Sequence, residues 1–152
     1  MDEVQVDAFL ADSVATADGK LYVQGGGWNR LTASLFPAVH DRIAIGLLIR
    51  ISAGAAGNHR FELRMLGPKD DELKLGDSQE GPVNRIGGEI RTGTGEDQLV
   101  PVAINLNGLT LAGPGEYRFV VSVDGSDVKT LPFRVQSAAS QEVSSTGTAG
   151  YL

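Results

Sequence analysis

Apolar and polar residues alternate with period two along most of the chain, the signature of strands that bury one face. In "VQVDAFLA" Val4, Val6, Ala8 and Leu10 share one face, and Gln5, Asp7 and Phe9 share the other. Asp18-Gly19 predicts a hairpin turn, because both residues tolerate positive φ; Leu21 and Val23 continue in the returning strand. The most apolar run sets Ile43, Ile45, Leu47, Ile49 and Ile51 on one face, against Arg42, Ala44, Gly46, Leu48 and Arg50. In "HRFELRML" Phe61, Leu63 and Met65 turn inward, while Arg60, Glu62 and Arg64 form a solvated outer row. A looser stretch holds a short edge strand at Glu72–Leu75, and Ile86, Gly88 and Ile90 alternate in the next piece. Val100, Val102, Ile104 and Leu106 share a face, with Pro101 pointing to an edge strand.

The last hairpin is the clearest. Tyr117, Phe119, Val121 and Val123 alternate with polar and small neighbours, Asp124–Asp127 turns the chain, and Leu131, Phe133 and Val135 return. About eight strands with frequent turn signals and no long helix predict an all-β protein. The expected architecture is a single immunoglobulin-like or fibronectin-like antiparallel β-sandwich over residues 1–136. In "LAGPGEYRF", Tyr117 sits where such sandwiches place a tyrosine whose hydroxyl bonds back to the chain entering the turn. Residues 137–152 are rich in Ser, Thr, Ala and Gly, with nothing to bury before Tyr151 and Leu152; they read as a flexible or partner-held tail.

The triple glycine Gly25-Gly26-Gly27 invites a phosphate-binding reading. It lacks the Lys-Ser or Lys-Thr of a nucleotide loop and the spacing of a dinucleotide fingerprint, and no helix follows. Successive glycines instead let a strand bend and move between sheets. Trp28, the only tryptophan, then covers the open end of the sandwich with Tyr22 and Phe36, filling volume the glycines leave. The alternative is an exposed contact residue paired with Arg30, since Trp and Arg are enriched in interface hot spots.

Net charge −6 disfavours nucleic acid and anionic lipid, both of which select basic surfaces. Absence of cysteine removes disulfides, thiolate metal sites and a cysteine nucleophile. The acidic start "MDEVQVDAFL" lacks the positive region of a secretory signal, and no apolar run reaches the roughly 18 residues of a membrane span; the reading is cytoplasmic, with no membrane partner. Only His40 and His59 could serve a hydrolytic triad; each begins a strand and reads as a surface residue. Asp70, Asp71, Glu72 and Asp77, or Asp124 and Asp127, could gather around calcium, but the loop spacing of such sites is absent. No catalytic residue, cofactor or metal is expected.

The stretches "AFLADSVATADGKLYVQGGGWNRL" and "NLNGLTLAGPGEYRFVVSVDG" resemble a family of short, uncharacterised bacterial proteins, frequent in actinobacteria, known as DUF6941. The resemblance covers most of residues 1–136 and implies a β-sandwich without known activity, ligand or site. The chain is therefore expected to be a non-enzymatic protein acting by protein contact, with itself as a homo-oligomer or with another protein. Trp28, Arg30, Tyr151 and Leu152 are the candidate contacts. The alternatives are a small-molecule pocket near Gly25–Trp28 and a structural part of a phage-like particle.

Overall fold

The computed structural model of the chain describes residues 3–93 and 95–138. Its strands are, in order, β1 (Val4–Ala11), β2 (Ser13–Ala17), β3 (Lys20–Gln24), β4 (Arg30–Ala33), β5 (Ala38–Ile51) and β6 (Asn58–Leu66). There follow β7 (Glu72–Leu73), β8 (Gly76–Ser78), β9 (Gly81–Val83), β10 (Ile86–Arg91), β11 (Gln98–Leu111), β12 (Gly115–Val123) and β13 (Ser126–Ser137). The smaller sheet orders β1-β5-β11, and the larger orders β10-β6-β12-β13-β4 with β7 added beside β6. Together they form the immunoglobulin-like sandwich that the alternation predicts.

The inward residues are those that the period of two selects. Ile43, Ile45, Leu47, Ile49 and Ile51 are at most 1% exposed, and they meet Leu63, Met65, Phe119, Val121 and Phe133 of the larger sheet. Each such side chain contributes roughly 1.5–3 kcal/mol by leaving water. Aromatic rings stack in one column, Phe133 on Tyr117 at 5.6 Å and on Phe119 at 5.4 Å. The Tyr117 hydroxyl donates to the Gly113 carbonyl at 2.6 Å, which forms the corner expected from the sequence. Pro101 lies on β11, an edge of the smaller sheet, as its missing N–H requires.

The structure departs from the sequence reading in four places. Thirteen strand segments appear among the described residues rather than about eight, because β4, β7, β8 and β9 are only two to four residues long and too short to carry an alternation. The sheet is not wholly antiparallel: β4 pairs parallel with the end of β13, Arg30 opposite Arg134. The edge strand expected at Glu72–Leu75 stops at Leu73, and Leu75 is buried instead, at 2% exposure. Tyr22 does not join Trp28, being 52% exposed on β3, whereas Phe36 does pack against the core.

The three glycines form the corner. Gly25 and Gly27 have φ of +61° and +91°, which L side chains rarely adopt. A Cβ on Gly25 would lie 2.2 Å from the Asp12 carboxylate. The N–H of Gly27 bonds to the Leu10 carbonyl at 2.8 Å, so the chain leaves β3 against β1 and re-emerges as β4 in the opposite sheet.

Candidate functional site

The two outer faces of the sandwich differ in kind. On the larger sheet Arg64 grips Asp127 with two bonds of 3.0 Å, Arg85 does the same to Glu72 at 2.9 Å, and Arg118 meets Asp70 at 2.8 Å. These pairs hold the Asp127 and Glu72 carboxyls below their ordinary range. That face is a lattice of paired charges facing water.

The smaller sheet presents four cross-strand rows on its outer side: Ala11–Ala44–Asn105, Phe9–Gly46–Ala103, Asp7–Leu48–Pro101 and Gln5–Arg50–Leu99. The hairpin of β2 and β3 closes over the first two. Its type of turn follows from Asp18 and Gly19, at φ +53° and +71°. β2 leads out over β5 to β11, where the Asn105 side chain accepts from the Val14 N–H at 3.1 Å and donates to the Val14 carbonyl at 2.9 Å, standing in for a neighbouring strand. Val14, Ala11 and Ala44 form a second small core with Phe9, Leu21 and Ala103. Gly46 makes this possible, since a Cβ there would sit 2.5 Å from Phe9 Cζ and 3.1 Å from Leu21 Cδ2.

The last two rows stay uncovered. Leu48 and Pro101 are half-buried and Leu99 is 54% exposed; Tyr22 and Val23 are exposed on β3, on opposite faces of the hairpin. Arg50 pairs with Asp7 at 3.1 Å across this floor. Beyond it a cleft of about 380 Å³ is bounded by Glu3, Arg50, Ser52, Asp97 and Leu99. Its wall is tied down: Ser52 and Glu3 exchange bonds of 3.0 and 3.1 Å, and the Ala53 N–H donates to Asp97 at 2.9 Å. The sequence offered one signal for this face, the small or apolar residues Ala44, Gly46 and Leu48 on the side of β5 opposite its isoleucines.

The residues singled out from sequence fall elsewhere. Trp28 is partly buried against the main core, the cover that its size suggests, and its indole N–H is buried with no hydrogen-bond partner among the described residues. Arg30 is exposed on β4 beside a shallow cleft that includes Glu116 and Arg134. Gly25–Trp28 line neither that cleft nor the one beside Leu99. Tyr151 and Leu152 lie outside the described residues. Among the described residues no three His, Asp or Glu side chains are grouped to hold a metal. No helix is long and apolar enough to cross a membrane.

His59 corrects the sequence reading. It is not a free surface residue: Nδ1 lies 2.6 Å from Asp124 Oδ2 and Nε2 lies 2.6 Å from the Ala55 carbonyl, with the side chain 13% exposed. Asp124 also accepts the Arg60 N–H at 2.9 Å. The carboxylate, then the carbonyl, raise the histidine's pKa; the Arg60 N–H, then the histidine, lower that of Asp124. This pair ties the β5–β6 loop to the β12–β13 turn.

The match of residues 6–136 to the model of a family of unknown function, DUF6941, decides the family. The chain belongs to DUF6941. No curated protein matches it. Solved structures resemble this DUF6941 chain only distantly. An immunoglobulin-like protein from Pseudomonas aeruginosa is 15% identical, with TM-score 0.41, covering 88% of this chain and 96% of the other. A Pseudomonas fluorescens alkylpurine DNA glycosylase, bound to DNA containing an abasic site analog, is 12% identical with TM-score 0.46. A Listeria innocua β-glucosidase is 13% identical with TM-score 0.48. The likenesses cover 89% of this chain in both cases, but the chain spans only 31% of the glycosylase and 16% of the glucosidase. At such identities and scores they bear on neither activity nor ligand.

Proposed function

We propose that this DUF6941 protein is a non-catalytic immunoglobulin-like module that works by protein contact, through the open half of the smaller sheet's outer face. The observation that carries the reading is the contrast between the two outer faces. One is closed by paired charges, while the other is half-roofed and leaves Leu48, Pro101 and Leu99 uncovered beside the outer edge of β3. Exposed apolar residues that cluster mark interaction surfaces more often than they mark solvent-facing skin. The histidine–carboxylate pair supports the non-catalytic reading, because both ring nitrogens are already engaged and neither is free to take a proton from a substrate.

Native mass spectrometry of the full chain purified gently from its host tests this. A second polypeptide added to the 16.0 kDa chain is the expected result. A bare chain at every concentration, or an added small molecule alone, overturns it.

A further inference from the structure

The open half of this face is shaped for one kind of visitor. Resting on the contact function proposed above, we infer that it takes an extended polypeptide segment, its inward face apolar and ending in a lysine or arginine, which adds as a new strand to the free edge of β3.

The edge comes first. β3 pairs with β2 on one side, and among the described residues no strand pairs with it on the other. With a two-residue turn at Asp18-Gly19, Lys20 and Tyr22 direct their backbone groups to β2, while Leu21 and Val23 direct theirs outward. The five residues of β3 contain no proline, and its one charge is Lys20 at the turn, so little blocks pairing along the rest of the edge.

The floor fixes the size of the visitor. β2 lies over the Ala11–Ala44–Asn105 row and β3 over the Phe9–Gly46–Ala103 row, so the next strand lies over Asp7, Leu48 and Pro101. Two uncovered rows span about 13 Å, since alternate residues of a strand are roughly 6.6 Å apart and neighbouring strands about 4.8 Å. The β2–β3 hairpin covers an equal span, so the open half has room for the added strand and its side chains. It does not admit a second copy of this chain paired β3 to β3: the two-fold axis of an antiparallel pair stands perpendicular to the hairpin, and would set the second copy's smaller sheet in the space this one fills.

Charge fixes its chemistry. Inward side chains of the added strand meet Leu48 and Pro101, which select apolar residues. Arg50 is already paired with Asp7 at 3.1 Å, which leaves Glu3 and Asp97 as the acids facing the adjoining cleft, on a chain of net charge −6. A lysine or arginine among the inward residues, at the end of the strand nearest Leu99, reaches that cleft with its long stem lying on Leu99.

A displayed library of linear heptapeptides, selected on the full chain, tests the inference. Selected sequences should carry apolar residues at every second position with a Lys or Arg in that same set, and a peptide remade from them should slow hydrogen exchange at the Leu21 and Val23 amides. Leu99→Asp, an exposed position, should weaken that peptide about tenfold, the loss expected when a half-buried leucine contact is removed. Glu3→Lys should weaken the basic peptides and spare a selected peptide with no charge. Peptides that bind both variants as they bind the natural chain, or leave both amides unprotected, overturn the inference, as does a library that yields no binder. A native partner that still binds Leu99→Asp would overturn the strand and leave protein contact standing. A chain with no native partner would instead remove the contact reading underneath.

Discussion

His59 sits between two acceptors, a carboxylate and a backbone carbonyl, each 2.6 Å from a ring nitrogen, and only the doubly protonated ring can donate to both. The neutral ring leaves one contact acceptor to acceptor, which is repulsive. Among the described residues Asp124 is the charged neighbour that favours the protonated ring, the Arg60 guanidinium lying 4.0 Å from Glu62. Folding therefore raises the pKa of His59 above its ordinary value near 6.5. A group whose folded pKa is raised stabilises fully below its unfolded value, and that contribution is lost as pH climbs through the folded value. Hydrogen bonds to charged groups contribute about 1.5–3 kcal/mol, and exposed ion pairs only about 0.2–1. With the histidine sheltered but Asp124 half in water, about 1 kcal/mol is the reasonable magnitude. In urea titrations this is a fall of roughly 0.5 M in the midpoint from pH 6 to pH 9. Asp124→Asn should remove most of the slope, the Ala55 carbonyl keeping the rest. Asparagine accepts the φ of +52° at this turn, and its amide oxygen still serves the Arg60 N–H, so the fold is kept while the charge is lost. A natural chain whose midpoint does not fall over this range, or an Asp124→Asn chain that falls as steeply, would refute the reasoning. Carbon-bound proton shifts of His59 in NMR locate the titration itself.

Three further outcomes follow from the packing. Gly46→Ala should cost about 1–3 kcal/mol in chemical denaturation, because its Cβ displaces the Phe9 ring from under the hairpin, and Phe9→Leu in the same chain should restore part of the loss. Tyr117→Phe removes the bond to the Gly113 carbonyl and should lower stability by about 1 kcal/mol with the β-sheet signal in circular dichroism unchanged. Trp28 should emit at short wavelength and resist quenching by iodide in the folded chain, since it packs against the core; red-shifted, readily quenched emission would contradict its placement.

Much of this arrangement was legible in the chain because strands write their faces into the sequence with period two. The isoleucines of β5, the Phe61–Leu63–Met65 row and the last hairpin all bury the side that the alternation selects. Local chemistry was equally legible: Asp18-Gly19 and Asp124-Gly125 adopt the positive φ that their turns need, Tyr117 closes its corner, and the three glycines carry the strand between sheets. Partners distant in the chain were not. His59 and Asp124 are 65 residues apart, and they meet only because β12 pairs with β6 in a register that ends with Val123 opposite Phe61. No local pattern encodes that register.

The contact face was hidden for a related reason. Alternation says which residues lie on the outer side of β5, but not what lies above them, and an outer row of Ala44, Gly46 and Leu48 suits a roof as well as it suits water. The residues that decide the matter are small. Gly46 admits Phe9 and Leu21, and Asn105 holds Val14, so the hairpin settles on one half of the sheet. One row further along, Leu48 is flanked by Asp7 and Pro101 rather than by Phe9 and Ala103. With an ion pair on the floor and no second hairpin to cover it, that half can be closed only by a segment that the described chain does not supply. The same short hairpin that buries one half of the face thereby creates, along its own outer edge, the strand template for whatever covers the other.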